Sequence, residues 1–302
     1  MAILCVMVSH IGNYSGRTWF TPLGGLGVAL FLFCSGYGLM ASYHMKGLDH
    51  FWRNKLVTVY IPYFIVEVIA SVLARRTLVD TLLVLTFLQT RNALMWYMQY
   101  LVCCYFLFWL AYRFITDKRI CYIIWGVAAI LSFIFLDNLR GKQAIAFLGG
   151  LIYSDYERLH VLNNTAENGA GAKQKRKCIL GFLLAVFALL ALAVKQIPVV
   201  REQSHYVVTL LNLIIKSGGA PALLLITAQI QPFKRLLSWV GKFSYSLYLI
   251  HGYFLYFLAE DVFGSYLLNS VVLLAISYVL AVVLNWVTGL IKSRIRKSQN
   301  NV

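Results

Sequence analysis

Apolar residues run along this chain in blocks about as long as a bilayer is thick, not in the narrow stripes of a surface helix. A spanning helix needs about 20 apolar residues at 1.5 Å per residue. Runs near that size are clear at 24–43, 57–73, 94–114, 120–136, 178–194, 243–259 and 265–291. Weaker runs at 1–11, 143–153 and 206–230 bring the expected number of spans to about ten. The last of them is interrupted by Lys216 and by the helix-breaking stretch GGAP at 218–221. Residues 78–88 make only about half a span and predict an interfacial or re-entrant segment.

The pattern predicts an all-α, polytopic integral membrane helix bundle forming a single domain over 1–302. Only one long polar stretch interrupts it, SDYERLHVLNNTAENGAGAKQKRK at 154–177, whose Asn, Gly and Ala content predicts a flexible loop. Composition agrees. The chain is 60% hydrophobic and 13% charged, with a mean hydropathy of +0.73, far from the soluble balance of roughly 45–50% apolar and 25% charged.

Charge sets the expected orientation. Lys and Arg cluster at every second inter-span segment: Lys46, Arg53 and Lys55; Arg113, Lys118 and Arg119; the end of the polar loop; Lys234, Arg235 and Lys242; and the basic tail at 292–302. The intervening segments carry scattered residues such as Arg17, Arg75, Arg76, Arg91 and Arg140. Cytoplasmic loops retain positive charge, so both termini, the loop and the tail are expected on the cytoplasmic side of a plasma (inner) membrane. The net charge of +16 does not point to nucleic acid, because its carriers sit at span ends, where retention and attraction to membrane lipid account for them. Six cysteines lie in or beside apolar runs with no paired spacing, and read as small buried side chains, neither disulfides nor metal ligands.

Ionisable residues inside spans are costly and default to functional candidates. His10, Glu67, Lys216 and His251 qualify. If Met1 lies at one face, nine rises place His10 about 14 Å deep, near mid-bilayer, where a neutral imidazole suits general-base chemistry. His251 follows Ser244, Tyr245, Ser246 and Tyr248, a density of hydroxyls that predicts a polar seam between helices. Glu67 is a counter-ion candidate for Lys216 or for an arginine. Ser35, in FCSGYG, lacks the strand-turn-helix setting of a nucleophile elbow and fits close helix packing instead. Arg53 and Lys55 stand where a phosphate-bearing cytosolic donor would arrive, although retention of positive charge on the inside accounts for them without a ligand.

Six segments in order resemble the acyltransferase 3 family of membrane proteins that modify surface glycans. They are AILCVMVSH ending in His10; GGLGVALFLFCSGYGLM from Gly24 to Met40, with Ser35; the aromatic-basic stretch from Phe51 to Tyr63; Trp96 and Tyr97; AIAFLGGLIY; and SYSLYLIH from Ser244 to His251. The resemblance implies transfer of an acyl group, commonly acetyl from acetyl-CoA, to a hydroxyl of a lipid-linked or exported polysaccharide. In that scheme His10 is the essential histidine and Arg53 and Lys55 hold the donor, while Ser35, Glu67, Trp96, Tyr97, Lys216, Tyr248 and His251 are candidates for the substrate cavity. Acyl-CoA is then a donor substrate, with no bound cofactor or metal expected, and a glycan-export protein or a separate transferase is a conceivable partner. The family also carries an arginine eleven positions before the histidine, which here falls ahead of Met1, so a native start upstream is expected. Thr58 stands where a second basic residue, three after Lys55, would be. A transporter and a catalytically silent scaffold are the competing readings.

Overall fold

The computed structural model describes residues 1–163, 170–202 and 204–300. Among them there is no strand; the elements are helices joined by short turns. α1 (Ala2–Tyr14) leads into α2 (Thr21–Lys46), a helix of 26 residues. α3 (Phe51–Lys55) passes through a π-helical turn, Leu56–Tyr60, into α4 (Ile61–Leu73). Then come α5 (Leu78–Leu85), α6 (Trp96–Phe114), α7 (Lys118–Phe135), the short α8 (Asn138–Gly141) and α9 (Ala146–Asn163). α10 (Ala170–Gln196), the short α11 (Pro198–Arg201), α12 (His205–Thr227) and α13 (Gln231–Gly241) follow, before α14 (Ser244–His251), α15 (Tyr256–Ala259) and the long α16 (Tyr266–Asn300).

Among the described residues, seven stretches are long and apolar enough to cross a membrane: Thr21–Lys46, Phe51–Leu73, Ala93–Phe114, Lys118–Phe135, Gln174–Gln196, His205–Thr227 and Tyr266–Ile295. The chain is a multi-pass, all-α membrane protein. α1 is shorter, at 13 residues. The run at 243–259 is not one helix. α14 tightens into a 3-10 turn, Gly252–Phe254, before α15. At that break Gly252 passes so close to Asn92 that a Cβ would lie 2.8 Å from the amide nitrogen. Pro221, by contrast, sits inside α12 without ending it, as neighbouring helices in a membrane bundle allow.

α2 is the centre of the packing, with α1, α9 and α12 laid against it. Its contact with α9 is a meeting of backbones. A Cβ on Gly36 would come within 2.2 Å of the Phe147 carbonyl oxygen, and one on Gly150 within 2.0 Å of the Phe33 carbonyl oxygen. In lipid, where the hydrophobic effect does not drive helices together, such close approach supplies the dispersion contact that holds them.

The stretch at 154–177 departs from its loop-like composition. Residues 154–163 extend α9 and 170–177 open α10, with 164–169 outside the described residues. Side-chain bonds explain the order. The His44 ring, at the end of α2, donates through Nε2 to Asp155, and its Nδ1 accepts from Arg158. Tyr122 donates to Asp155 at 2.8 Å and Lys118 stands 3.3 Å from the same carboxylate. Partial burial works against ionisation of Asp155, but Tyr122, Lys118 and His44 together hold its carboxyl below the usual range. One turn on, Glu157 accepts from Tyr37 at 2.7 Å and from Lys177 at 2.8 Å. Residues that the charge pattern groups on one side of the bilayer therefore do meet at one end of the bundle. The basic tail likewise continues α16 as helix through Asn300, with 301–302 outside the described residues.

Candidate functional site

α1 is fixed against the bundle by polar bonds around its middle and end. Ser9 donates to the Thr21 carbonyl at 3.2 Å, Thr21 donates to Asn13, and the Tyr266 hydroxyl donates to the Ile11 carbonyl. These bonds set the rotation of the helix and with it the direction of His10, which is half-buried. Its ring lies 5.7 Å, centroid to centroid, from that of His251, tilted by 40°. Residues 241 positions apart in sequence thus share one site.

His251 ends α14 and is completely buried. Its Nδ1 lies 3.0 Å from the Leu247 carbonyl and 2.9 Å from the Tyr248 carbonyl. Both are acceptors, so Nδ1 carries the proton and the neutral ring holds a lone pair on Nε2. Among the described residues that nitrogen has no hydrogen-bond partner. A buried lone pair without a donor costs free energy, and the rings beside His251 are those of His10 and Tyr248.

From the two histidines a line of polar aromatics runs through the bundle. Tyr248 lies 5.9 Å from His251 and 5.0 Å, edge to face, from Tyr97, with Phe31 wedged against both tyrosines at 5.8 and 5.9 Å. Tyr248 is held by donating to the Leu94 carbonyl. Trp96 packs edge-on against Tyr97. The Ser35 side chain interacts with those of both Tyr97 and Tyr105, so its place in the fold is a polar link within the line, not a nucleophile elbow. Beyond Tyr105 comes Lys55, whose ammonium stands 4.3 Å from the Tyr105 ring centroid and 5.8 Å from that of Phe51, a cation–π arrangement.

Lys55 and Arg53 line one cavity of about 400 Å³, with Trp52, Leu56, Val59, Tyr60, Phe87, Val102 and Tyr105. Lys46, at the end of α2, adds a third positive charge in electrostatic range of Lys55. The floor is braced where the π-helical turn breaks the regular ladder, with Tyr245 donating to the Val59 carbonyl at 2.7 Å. Thr58 is exposed and donates to the Asn54 carbonyl at 2.6 Å. It is not among the residues that line the cavity.

The structure does not join all the candidates. Glu67 is the partner of Arg76, not of Lys216. It accepts from Arg76 at 3.3 Å and from the Tyr253 hydroxyl at 2.5 Å, and Arg76 also reaches Ser71. Lys216 lies against Gly25 on another face of α2 and takes no part in the line from His10 to Lys55. Sequence reasoning missed Tyr105, Phe31 and Lys46 as site residues. The first two are ordinary aromatics in apolar runs; Lys46 carried a signal, as the basic end of a span next to Arg53, and Tyr245 was legible among the hydroxyls before His251.

Among the described residues no group of three or more His, Cys, Asp or Glu could hold a metal ion. The family model for an acyltransferase domain, acyltransferase 3, matches residues 1–290. No curated protein and no solved structure matches the chain.

Proposed function

The chain belongs to the acyltransferase 3 family, and from that premise we propose that it is a membrane O-acyltransferase that moves an acyl group, acetyl in the simplest case, from acyl-CoA to a hydroxyl of a cell-surface or lipid-linked polysaccharide. The observation that carries this reading is the unbroken line from the cavity of Arg53 and Lys55, through Tyr105, Ser35, Tyr97 and Tyr248, to the paired rings of His251 and His10. One end offers fixed positive charge for the donor's phosphates. The other offers a base.

In this reading Lys46, Arg53 and Lys55 hold the phosphates on the cytoplasmic side, and the aromatic line guides the acyl-bearing arm inward. His10 takes the proton of the acceptor hydroxyl as its oxygen attacks the thioester carbonyl. The new C–O bond forms, the C–S bond breaks, and the imidazolium returns the proton to the departing thiolate. His251 is a positioning residue, because its Nε2 lone pair is available to the proton that His10 carries. The apolar helices around the pair exclude bulk water and so limit hydrolysis of the thioester.

The test is turnover of labelled acetyl-CoA by the purified chain in nanodiscs supplied with lipid-linked glycans. His10→Ala is expected to lower kcat by about 10²–10⁴, the usual worth of a general base. Lys55→Met is expected to act chiefly by raising KM for the acyl donor. Unchanged kcat in His10→Ala would overturn the role given to His10, and no turnover from the parent chain would move the reading to transport or scaffolding.

A further inference from the structure

Lys216 is the unexplained charge of the bundle. It sits eleven residues into α12, only 6% exposed; among the described residues no oxygen accepts from its Nζ, whose polar neighbour is the side chain of another lysine, Lys142. The charged groups in its electrostatic range are Lys142 and Lys195, both of the same sign. Lys142, between α8 and α9, has its pKa lowered by burial first and by the Lys195 charge second, against the Lys216 side chain and the Asp137 carboxylate, which raise it. Lys195 donates to Asn212 at 2.8 Å. The Gly25 carbonyl, on the α2 residue that Lys216 abuts, accepts from the Gln143 side chain at 3.1 Å.

The pocket that Lys216 enters is built for an amphipathic guest. It is a half-open groove of about 280 Å³ between α2, α9 and α12, lined by Lys216 and Ser217 and otherwise by apolar groups, among them Phe33, Leu148, Ile152 and Pro221. Ile152 is half exposed on the outer surface of the bundle, the surface that faces lipid in a membrane protein. A soluble anion would gain the charge of Lys216 and nothing from these walls. A neutral lipid would gain the walls and leave the ammonium bare.

We propose that this groove binds a membrane lipid whose head carries a phosphate, the phosphate oxygens accepting from Lys216 and the apolar chain lying along Phe33, Leu148 and Ile152. Charge complementarity selects the head: Lys216, buried beside two residues of its own sign, is matched by an anion that arrives with its own apolar cover. The site stands whether or not the chain transfers acyl groups, and no acyl donor enters its test.

The experiment is native mass spectrometry of the purified full chain in neutral detergent, titrated with phosphatidylglycerol, phosphatidylcholine or inorganic phosphate. The parent chain is expected to hold one phosphatidylglycerol about tenfold more tightly than phosphatidylcholine, and inorganic phosphate is expected not to displace it. Lys216→Met should erase that preference. Gly25→Ala is the second variant: its methyl group would fall 2.5 Å from Lys216 Cε, pushing the ammonium aside with its charge intact, and it should weaken phosphatidylglycerol alone. Equal phosphatidylglycerol binding by the parent chain and both variants would overturn the proposal. Displacement by inorganic phosphate would overturn it too, in favour of a soluble anion.

Discussion

Glu67 and Lys216 are both charges sunk in the bundle, 1% and 6% exposed, yet their surroundings are opposite. Glu67 has a guanidinium and a phenol on its two oxygens, and the guanidinium is itself bonded to Ser71. Lys216 has neighbours of its own sign and a groove. Sequence puts the two residues in one class, as ionisable groups inside apolar runs. Structure separates them: a buried charge whose hydrogen-bonding capacity is met inside the protein holds the fold together, and one left unmet marks a place for something from outside.

The sharpest way to break this contrast is to remove the partner of Glu67. Arg76→Ala leaves a buried carboxylate uncompensated and is expected to cost about 3–5 kcal/mol, read as a fall in the denaturation midpoint of the purified chain in detergent. A midpoint equal to the parent's would mean that Glu67 finds another partner or a proton at no cost. Tyr253→Phe removes only the phenol and should cost about 1.5–3 kcal/mol, the range for a hydrogen bond to a charged group. Lys216→Met tests the other side with the opposite sign. Without anionic lipid its stability should equal the parent's or exceed it by roughly 1 kcal/mol, since the substitution removes a buried amino group that has no acceptor among the described residues. A clear loss of stability in that variant would place Lys216 with Glu67, as a structural charge.

Much of the fold was legible because lipid makes one demand on every segment: α2, α6, α10 and α16 had to be long and apolar, and they read as such. Hydropathy says nothing about backbone continuity, so the break after His251 was invisible within an apolar run. The polar stretch at 154–177 misled because composition does not show partners. Asp155 and Glu157 find theirs on α2, α7 and α10, and its Ala, Lys, Gln and Arg are good helix formers. His10 and His251 were each legible as costly residues within apolar runs, but their meeting was not, being a matter of how α1 and α14 pack. The partner of Glu67 was hidden for a local reason. Arg75 adopts a left-handed conformation, with φ of 49°, and that turn past the end of α4 brings Arg76 back towards the helix it has just left.

The glycine pair in α2 has a consequence for spacing. Ser9, next to His10, touches the helix where a Cβ on Gly24 would sit, and Lys216 touches it where a Cβ on Gly25 would sit. Consecutive helix residues are turned by about 100°, so the two contacts occupy adjoining faces of one bare stretch of backbone. That stretch is a common gauge: it sets how near α1 and α12 stand to α2, and a methyl group at either glycine would push one of them outward.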